Sequence, residues 1–230
     1  QTDLAGPIHS HRGIRSVKRT PDGAALTDEA GHVEMFDGVV FACHADETLR
    51  MLEDPDAAEI GLLGAFQYRT NRALLHSDVC LMPKRKNAWA SWNYLTTQNQ
   101  SQSNVSISYW MNRLQRLKAD KDYFVTLNPL VEPNPAEVYY QTDYTHPVFN
   151  QDTRKAQASM GHLQGHRGCW YCGAWMGYGF HEDGLGSAVE AVSQLGVQVP
   201  AGINQARAHH APYTDNFEPW HGPGGHLFHG

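Results

Sequence analysis

Basic residues are in short supply in this sequence. Its 18 Lys and Arg stand against 24 Asp and Glu, a formal net charge of -6, so no electrostatic footprint for a nucleic acid exists. Cysteine is scarce too. Four of them, Cys43, Cys80, Cys169 and Cys172, are too few and too scattered for a disulfide scaffold, and a reducing cytoplasm is the expected compartment. No apolar run reaches the ~18 residues that a membrane span requires. There is no GxGxxG after a predicted strand, no P-loop and no GxSxG elbow, which leaves a complete dinucleotide-binding fold and an elbow-type hydrolase without their signatures. The opening QTDLAGPIHSHRG has neither an initiating Met nor the basic start and apolar core of a signal peptide, and it reads as a cleavage or truncation boundary.

What is present describes a globular chain. A hydrophobic content of 41% with only 18% charged residues argues against disorder over most of the length. The 230 residues can bury one sizeable core or two small ones.

The sharpest change of character lies in CWYCGAWMGYGFHEDGLGSAVEAVSQLG, from Cys169 to Gly196. Aromatics and glycines fill its first half, the polar trio His181-Glu182-Asp183 follows, and then Ala188, Val189, Val192 and Leu195 fall on one helical face. We expect a short strand, a glycine turn, and a helix that starts near Gly184 and stops at Gly196. Gly173, Gly177, Gly179, Gly184 and Gly186 allow positive φ or a close backbone approach. The helix amino end suits an oxygen-rich or anionic partner. A tight corner before a buried helix is the competing reading.

Upstream, residues 12 to 41 read as a β-meander with a turn at Pro21-Asp22-Gly23. Val39 to Cys43 is continuously apolar, as in a strand covered on both faces. Its polar exit, His44 to Thr48, leads into a short helix that Asp46 would cap, and a second helix start lies in DAAEIGLLGAF. Residues 65 to 150 are rich in aromatic and β-forming residues and suggest antiparallel strands. Val105, Ile107 and Tyr109 would form the apolar face of one of them. Met111, Leu114 and Leu117 predict a helix after it. Residues 151 to 168 begin with helix propensity, and 201 to 230 read as a low-order tail.

Several features carry alternatives. Cys169 and Cys172 form a bare CxxC, which serves redox dithiols, zinc sites and plain structural thiols. With no second CxxC and no matching His pattern, no metal site is assigned. His44, Asp46 and Glu47 could line a pocket, although capping accounts for Asp46. First-turn acids such as Glu182 and Asp183 are favourable through the helix dipole alone, and they could equally accept hydrogen bonds from ligand hydroxyls.

The segments Val39 to Asp46, Leu81 to Tyr94 and Gly177 to Leu185 together resemble the C-terminal half of flavin-dependent amine-oxidase-like oxidoreductases, most closely the bacterial predicted NAD/FAD-binding proteins. The likeness extends over roughly residues 10 to 200. It implies an α/β fold, α+β overall: a partial FAD-binding domain from 1–64 and 151–200, with an antiparallel-sheet substrate domain at 65–150. It implies FAD as cofactor, with Gly173, Gly177, Tyr178, Gly179, Phe180, His181, Glu182, Asp183, Gly184 and Leu185 around the isoalloxazine and ribityl region. It places Trp89, Trp92, Asn93 and Tyr94 as substrate-pocket candidates, with ordinary sheet-core aromatics as the alternative. The substrate would be a small hydrophobic, fatty-acyl or amine compound. No catalytic side chain is assigned, because the flavin carries the redox chemistry. The family's N-terminal βαβ half is missing from the sequence, so a polypeptide supplying it is the expected partner, and the edge it leaves open predicts association or oligomers. The competing functions are a non-catalytic assembly module and a thiol redox protein using Cys169 and Cys172.

Overall fold

The computed structural model describes residues 6–96 and 105–196. The tail expected at 201–230 lies outside them. The chain divides into two compact units, one formed by Gln1–Gln67 with Pro147–Gly230 and one by Tyr68–His146. In chain order the elements are β1 (Ile14–Thr20), β2 (Gly23–Asp28), β3 (Val33–Phe36), β4 (Val39–Phe41), α1 (Ala45–Met51), α2 (Ala57–Gly64), β5 (Gln67–His76), β6 (Trp92–Thr96), β7 (Val105–Trp110), α3 (Met111–Leu114), β8 (Phe124–Leu127), β9 (Val138–Val148), α4 (Gln151–Ser159), β10 (Cys169–Tyr171) and α5 (His181–Gln194). The architecture is mixed α/β. No helix among the described residues is long and apolar enough to cross a membrane.

In the first unit, β1, β2 and β3 form the antiparallel meander that the turn residues imply. Gly23 takes φ 132°, and a side chain there would strike the Phe36 carbonyl, so glycine is required at that turn. β4 pairs in parallel with β10, with Cys169 opposite Val39 and Tyr171 opposite Phe41. The Phe41 and Tyr171 rings stack at 5.5 Å. Phe41 is buried, but Val40 is 45% exposed, so the double coverage expected of this strand is met on one face only. The reason is sheet size: this parallel sheet has two strands among the described residues.

α2 starts where the sequence places it, because the Asp56 carboxylate accepts from the Ala58 and Glu59 amides at 3.0 Å each. α1 differs in detail. His44, not Asp46, is its N-cap, and its amide donates to Glu47 Oε2 at 3.2 Å. Asp46 is the second residue of the helix and pairs with Arg50 at 3.4 Å.

A charged node ties this unit together. The Arg19 side chain, 4% exposed, clasps the fully buried Glu59 with both terminal nitrogens and reaches Asp54 through Nε at 3.1 Å. Tyr171 donates its hydroxyl to Glu59 at 2.9 Å. Burial alone would lower the Arg19 pKa, but the Glu59 and Asp54 carboxylates reverse this and leave it above its ordinary value. The same burial, with Glu59 beside it, pushes the Tyr171 phenol well up. Strand β1, helix α2 and strand β10 therefore meet on one ion pair whose separation would leave a charge stranded.

The second unit is a five-stranded sheet in the order β6-β7-β8-β5-β9. Asn93, Ser108, Thr126 and Leu74 stand in one row across four strands and are all buried. Trp92, Tyr109, Val125 and Leu75 form a row on the opposite face, which is less covered. The sequence expectation for β7 is thus reversed. Ser106 and Ser108 are the buried residues, Ile107 and Tyr109 are half-buried and Val105 is exposed. Buried serines are tolerated because each hydroxyl is bonded: Ser106 to the Leu127 carbonyl at 3.2 Å and Ser108 to the Leu81 carbonyl at 3.1 Å. Helix α3 is a single turn, shorter than the Met111, Leu114, Leu117 spacing implies, since Arg116 at φ 54° ends it.

Candidate functional site

Parallel pairing of β4 with β10 brings two chemically rich segments to the same sheet edge, because parallel strands end together. Such carboxyl-end edges are where α/β sheets bind ligands. β4 leads into Cys43 to Glu47 and β10 into the glycine segment. Trp175 joins them by donating its indole N–H to the Cys43 carbonyl at 3.0 Å. From α4, Gln157 Nε2 donates to the carbonyls of Trp175 at 2.9 Å and Gly177 at 2.7 Å.

Helix α5 begins at His181, earlier than the sequence suggests. Asp183 is responsible: its carboxylate reaches back to accept from the amides of Phe180 at 2.8 Å and Tyr178 at 3.0 Å, which fixes the first turn around it. Gly196, at φ 79°, follows the helix end as its C-terminal stop. Ser187 accepts from the Gly173 amide at 2.9 Å and donates to the Gly184 carbonyl at 2.8 Å, holding the helix against the turn.

The glycines divide into two kinds. A Cβ at Gly173 would run into the Trp175 ring, and one at Gly177 into the Asp183 carboxylate. Those two glycines are required by the chain's own packing. Gly184 and Gly186 lie within α5, where a Cβ would meet nothing closer than Ala174 at 3.7 Å in the first case and nothing within 4 Å in the second. Each costs a helix about 1 kcal/mol relative to alanine, and no atom of this chain demands either. Around them, Tyr178, Phe180 and Leu185 are 62%, 54% and 45% exposed, and His181 and Glu182 are exposed as well. The amides of His181 and Glu182 open the helix, where no preceding turn can accept from them.

The four aromatic-block candidates separate. Trp89 is buried against Met82, Phe124 and Trp110, and its indole donates to the Pro83 carbonyl at 2.7 Å. Asn93 is buried and bonded to the amide and carbonyl of Ala90 and to the Ser108 carbonyl. Both are buried and bonded as internal supports of the sheet. Trp92 and Tyr94 lie on the other face of the sheet, 43% and 61% exposed, because alternate strand residues point to opposite sides. Trp92 packs edge-on against Tyr109 at 5.2 Å.

Known structures share this fold. A CLA-producing fatty acid isomerase from P. acnes aligns with a TM-score of 0.52 at 12% identity, over 86% of this chain and 50% of that one. A reduced UDP-galactopyranose mutase aligns with a TM-score of 0.53 at 10% identity, over 87% of this chain and 51% of that one. The chain spans about half the length of these structures. No family model matches the sequence, and no curated protein matches it. At such identities the likeness is one of fold.

The cysteines do not form a working pair. Cys169 lies in β10, and the Cys172 amide continues the ladder by donating to the Phe41 carbonyl at 2.9 Å. Residues three apart on an extended strand point to opposite faces. All four thiols are free. Burial raises the pKa of Cys43, Cys169 and Cys172, and burial together with Asp78 pushes Cys80 up to about 11, so none is a ready thiolate. Among the described residues no group of three or more His, Cys, Asp or Glu side chains could hold a metal ion.

The sequence reading passed over Arg19 and Trp175. Arg19 gives no local signal, since its partners lie 35 and 40 residues away. Trp175 sits among other aromatics that the sequence does not rank.

Proposed function

We propose that this chain is the C-terminal portion of an FAD-dependent oxidoreductase that oxidises or isomerises a small hydrophobic, fatty-acyl or amine substrate. The observation that carries this reading is the meeting of Cys43 to Glu47 with the glycine segment at the carboxyl edge of β4 and β10. Fold likeness to a fatty acid isomerase and to a mutase described in its reduced state supports the same class.

The residues fit one part of the cofactor better than another. Gly186 leaves a bare stretch of helix surface on which a flat ring system or a polyol can rest, and exposed Glu182, one turn earlier on the same face, can accept from ribityl hydroxyls. A diphosphate suits this helix end poorly, since Glu182 and Asp183 place negative charge in its first turn. We therefore assign the diphosphate to the polypeptide that would carry the missing βαβ half. When bound, FAD would supply the hydride or electron acceptor.

This chain's own groups orient and shield. Tyr178, Phe180 and Leu185 offer apolar cover, the His181 and Glu182 amides that open α5 offer donors, and Asp183 fixes the turn before them by accepting from the Tyr178 and Phe180 amides. Trp92 and Tyr94 remain candidates for the substrate side. Among the described residues β4 pairs with β10 alone, so its other side is the natural place for the partner's strand.

The test is an absorbance spectrum of the full chain purified together with its upstream polypeptide. Protein-bound flavin bands in stoichiometric amount support the reading. Their absence from the complete assembly would overturn it and leave an assembly module derived from a flavoprotein.

A further inference from the structure

The two edges of the sheet unit are unequal. In the order β6-β7-β8-β5-β9, strand β9 stands at one end and pairs with β5 alone among the described residues. It has 11 residues, whereas β6 at the other end has 5. Its run from Val138 to His146, VYYQTDYTH, holds no Lys, Arg or Pro, the residues that ordinarily blunt an exposed edge. Pro147 follows only where the run ends. Tyr139, Tyr140 and Tyr144 are 49%, 60% and 52% exposed, and Gln141, Asp143, Thr145 and His146 are exposed as well. About 30 Å of edge is thus open, with the N–H and C=O of alternate residues directed outward.

The same run is complementary to itself. In an antiparallel pair, residues whose backbone groups point outward face residues that do the same. Such residues alternate, so two copies of β9 related by a two-fold axis must have a whole residue on that axis. An axis at Thr142 aligns the run end to end: Gln141 opposes Asp143, Tyr140 opposes Tyr144, Tyr139 opposes Thr145 and Val138 opposes His146. An axis one residue later would set the Asp143 charges against each other, and one residue earlier would put Asp143 opposite Tyr139.

The chemistry of the central pairs is already in place. Arg72 donates to Gln141 Oε1 at 2.9 Å. A guanidinium only donates, so the Gln141 oxygen is held toward it and the amino group is left as a donor. The exposed Asp143 carboxylate is the matching acceptor. Tyr140 and Tyr144 add one aromatic pair on each side of the axis.

We propose that β9 is a self-association edge, on which two copies of this chain join through antiparallel β9 strands about a two-fold axis at Thr142. The two five-stranded sheets then run on as one. The partner is a second copy because the pattern closes on itself, and such an isologous contact ends at a dimer and does not propagate into a fibre. One strand pair makes a small interface, so the dimer is of the reversible class. Neither the pairing nor its test involves the proposed cofactor site.

Sedimentation equilibrium of the full chain tests this, and a concentration-dependent dimer is the expected result. Gln141→Glu keeps an acceptor for Arg72 but sets a carboxylate opposite Asp143 twice in each dimer. It should weaken dimerisation about tenfold, and less so at high salt. Adding Asp143→Asn to Q141E supplies an amide donor to the new carboxylate and should restore the dimer. Tyr140→Lys combined with Tyr144→Lys should abolish it while circular dichroism stays unchanged, since both side chains are exposed. A chain that is monomeric at every concentration, a dimer that Q141E leaves unchanged or D143N fails to rescue, or one that survives the double lysine variant would each overturn the proposal. So would a dimer that disappears once the upstream polypeptide is added, which would assign this edge to that polypeptide. Should the lysine variant fail to fold, Q141E and its rescue still decide the matter.

Discussion

The two units bury polar atoms by different means. The first encloses a charged cluster beside neutral groups such as Thr48 and Thr153: Arg19 is buried with Glu59 and joined by Asp54 and Tyr171. In the second the buried polar groups carry no ion pair: Ser108, Thr126 and His76 are joined by hydrogen bonds across neighbouring strands. The charged node includes a bond between residues 112 apart, so it pins separate elements but fails as a whole when one partner is lost. The neutral relay follows the register of β7, β8 and β5 and spreads its cost over weaker bonds. One device ties distant segments to a single point, and the other knits adjacent strands.

The largest break in this comparison should come from Glu59→Ala. It strands the Arg19 charge and the Tyr171 hydroxyl, and denaturant unfolding should show a loss of about 3–5 kcal/mol. Replacing Arg19 and Glu59 together by Met and Leu should recover much of that loss. A single-variant cost below about 1 kcal/mol would mean the node is not a true ion pair. Thr126→Val removes the middle of the neutral relay and leaves His76 Nε2 without its partner, for which about 1–3 kcal/mol is expected. A smaller effect in the same assay would show that water takes the place of the hydroxyl.

Glycine substitutions sharpen the contrast within α5. Gly177→Ala should destabilise by about 1–2 kcal/mol, because the new methyl displaces the Asp183 carboxylate from its two amides. Gly186→Ala should instead stabilise the isolated chain by about 0.5–1 kcal/mol while weakening FAD capture by the complete assembly. Unimpaired flavin content in that variant would remove Gly186 from the proposed site.

Acid should act on the two units in order. In the first, burial alone would raise the pKa of Asp54 and Asp56, but Arg19 and Arg167 beside Asp54, and the Glu59 amide and His166 beside Asp56, hold both below the ordinary carboxylate value. Depressed acids contribute stability that is lost only as the pH falls through those lowered values. The second unit responds from about 6.5 downward through His76, whose pKa burial lowers. Amide spectra recorded on descending pH should therefore change around His76 in β5 before they change around Asp54. The reverse order would contradict the contrast.

Much of the local structure was legible from residue types. Pro21-Asp22-Gly23, Asp56 with Glu59, and Gly196 are short-range signals whose geometry is set within a few bonds, and the structure uses each where it stands. The faces of β7 were not legible. Alternation alone put Val105, Ile107 and Tyr109 inside, whereas partners for Ser106 and Ser108 come from Leu127, Leu81 and Thr126, distant in the chain. In the candidate site, the glycine turn and helix were visible in advance. Which glycines serve the chain's own packing and which stay open was not, because that depends on where Trp175, Asp183 and Ala174 come to lie.

By itself the sequence determined the kind of molecule: a mixed α/β chain with a meander, a glycine-rich strand-to-helix turn and no complete nucleotide-binding signature. These follow from periodicity, turn chemistry and capping, all local. Only the tertiary structure decided that Cys169 and Cys172 are not a pair, that Trp89 and Asn93 support while Trp92 and Tyr94 face outward, and that Arg19 and His76 are the buried groups of consequence. Strand pairing and register made those decisions, since they bring together atoms that the sequence keeps far apart.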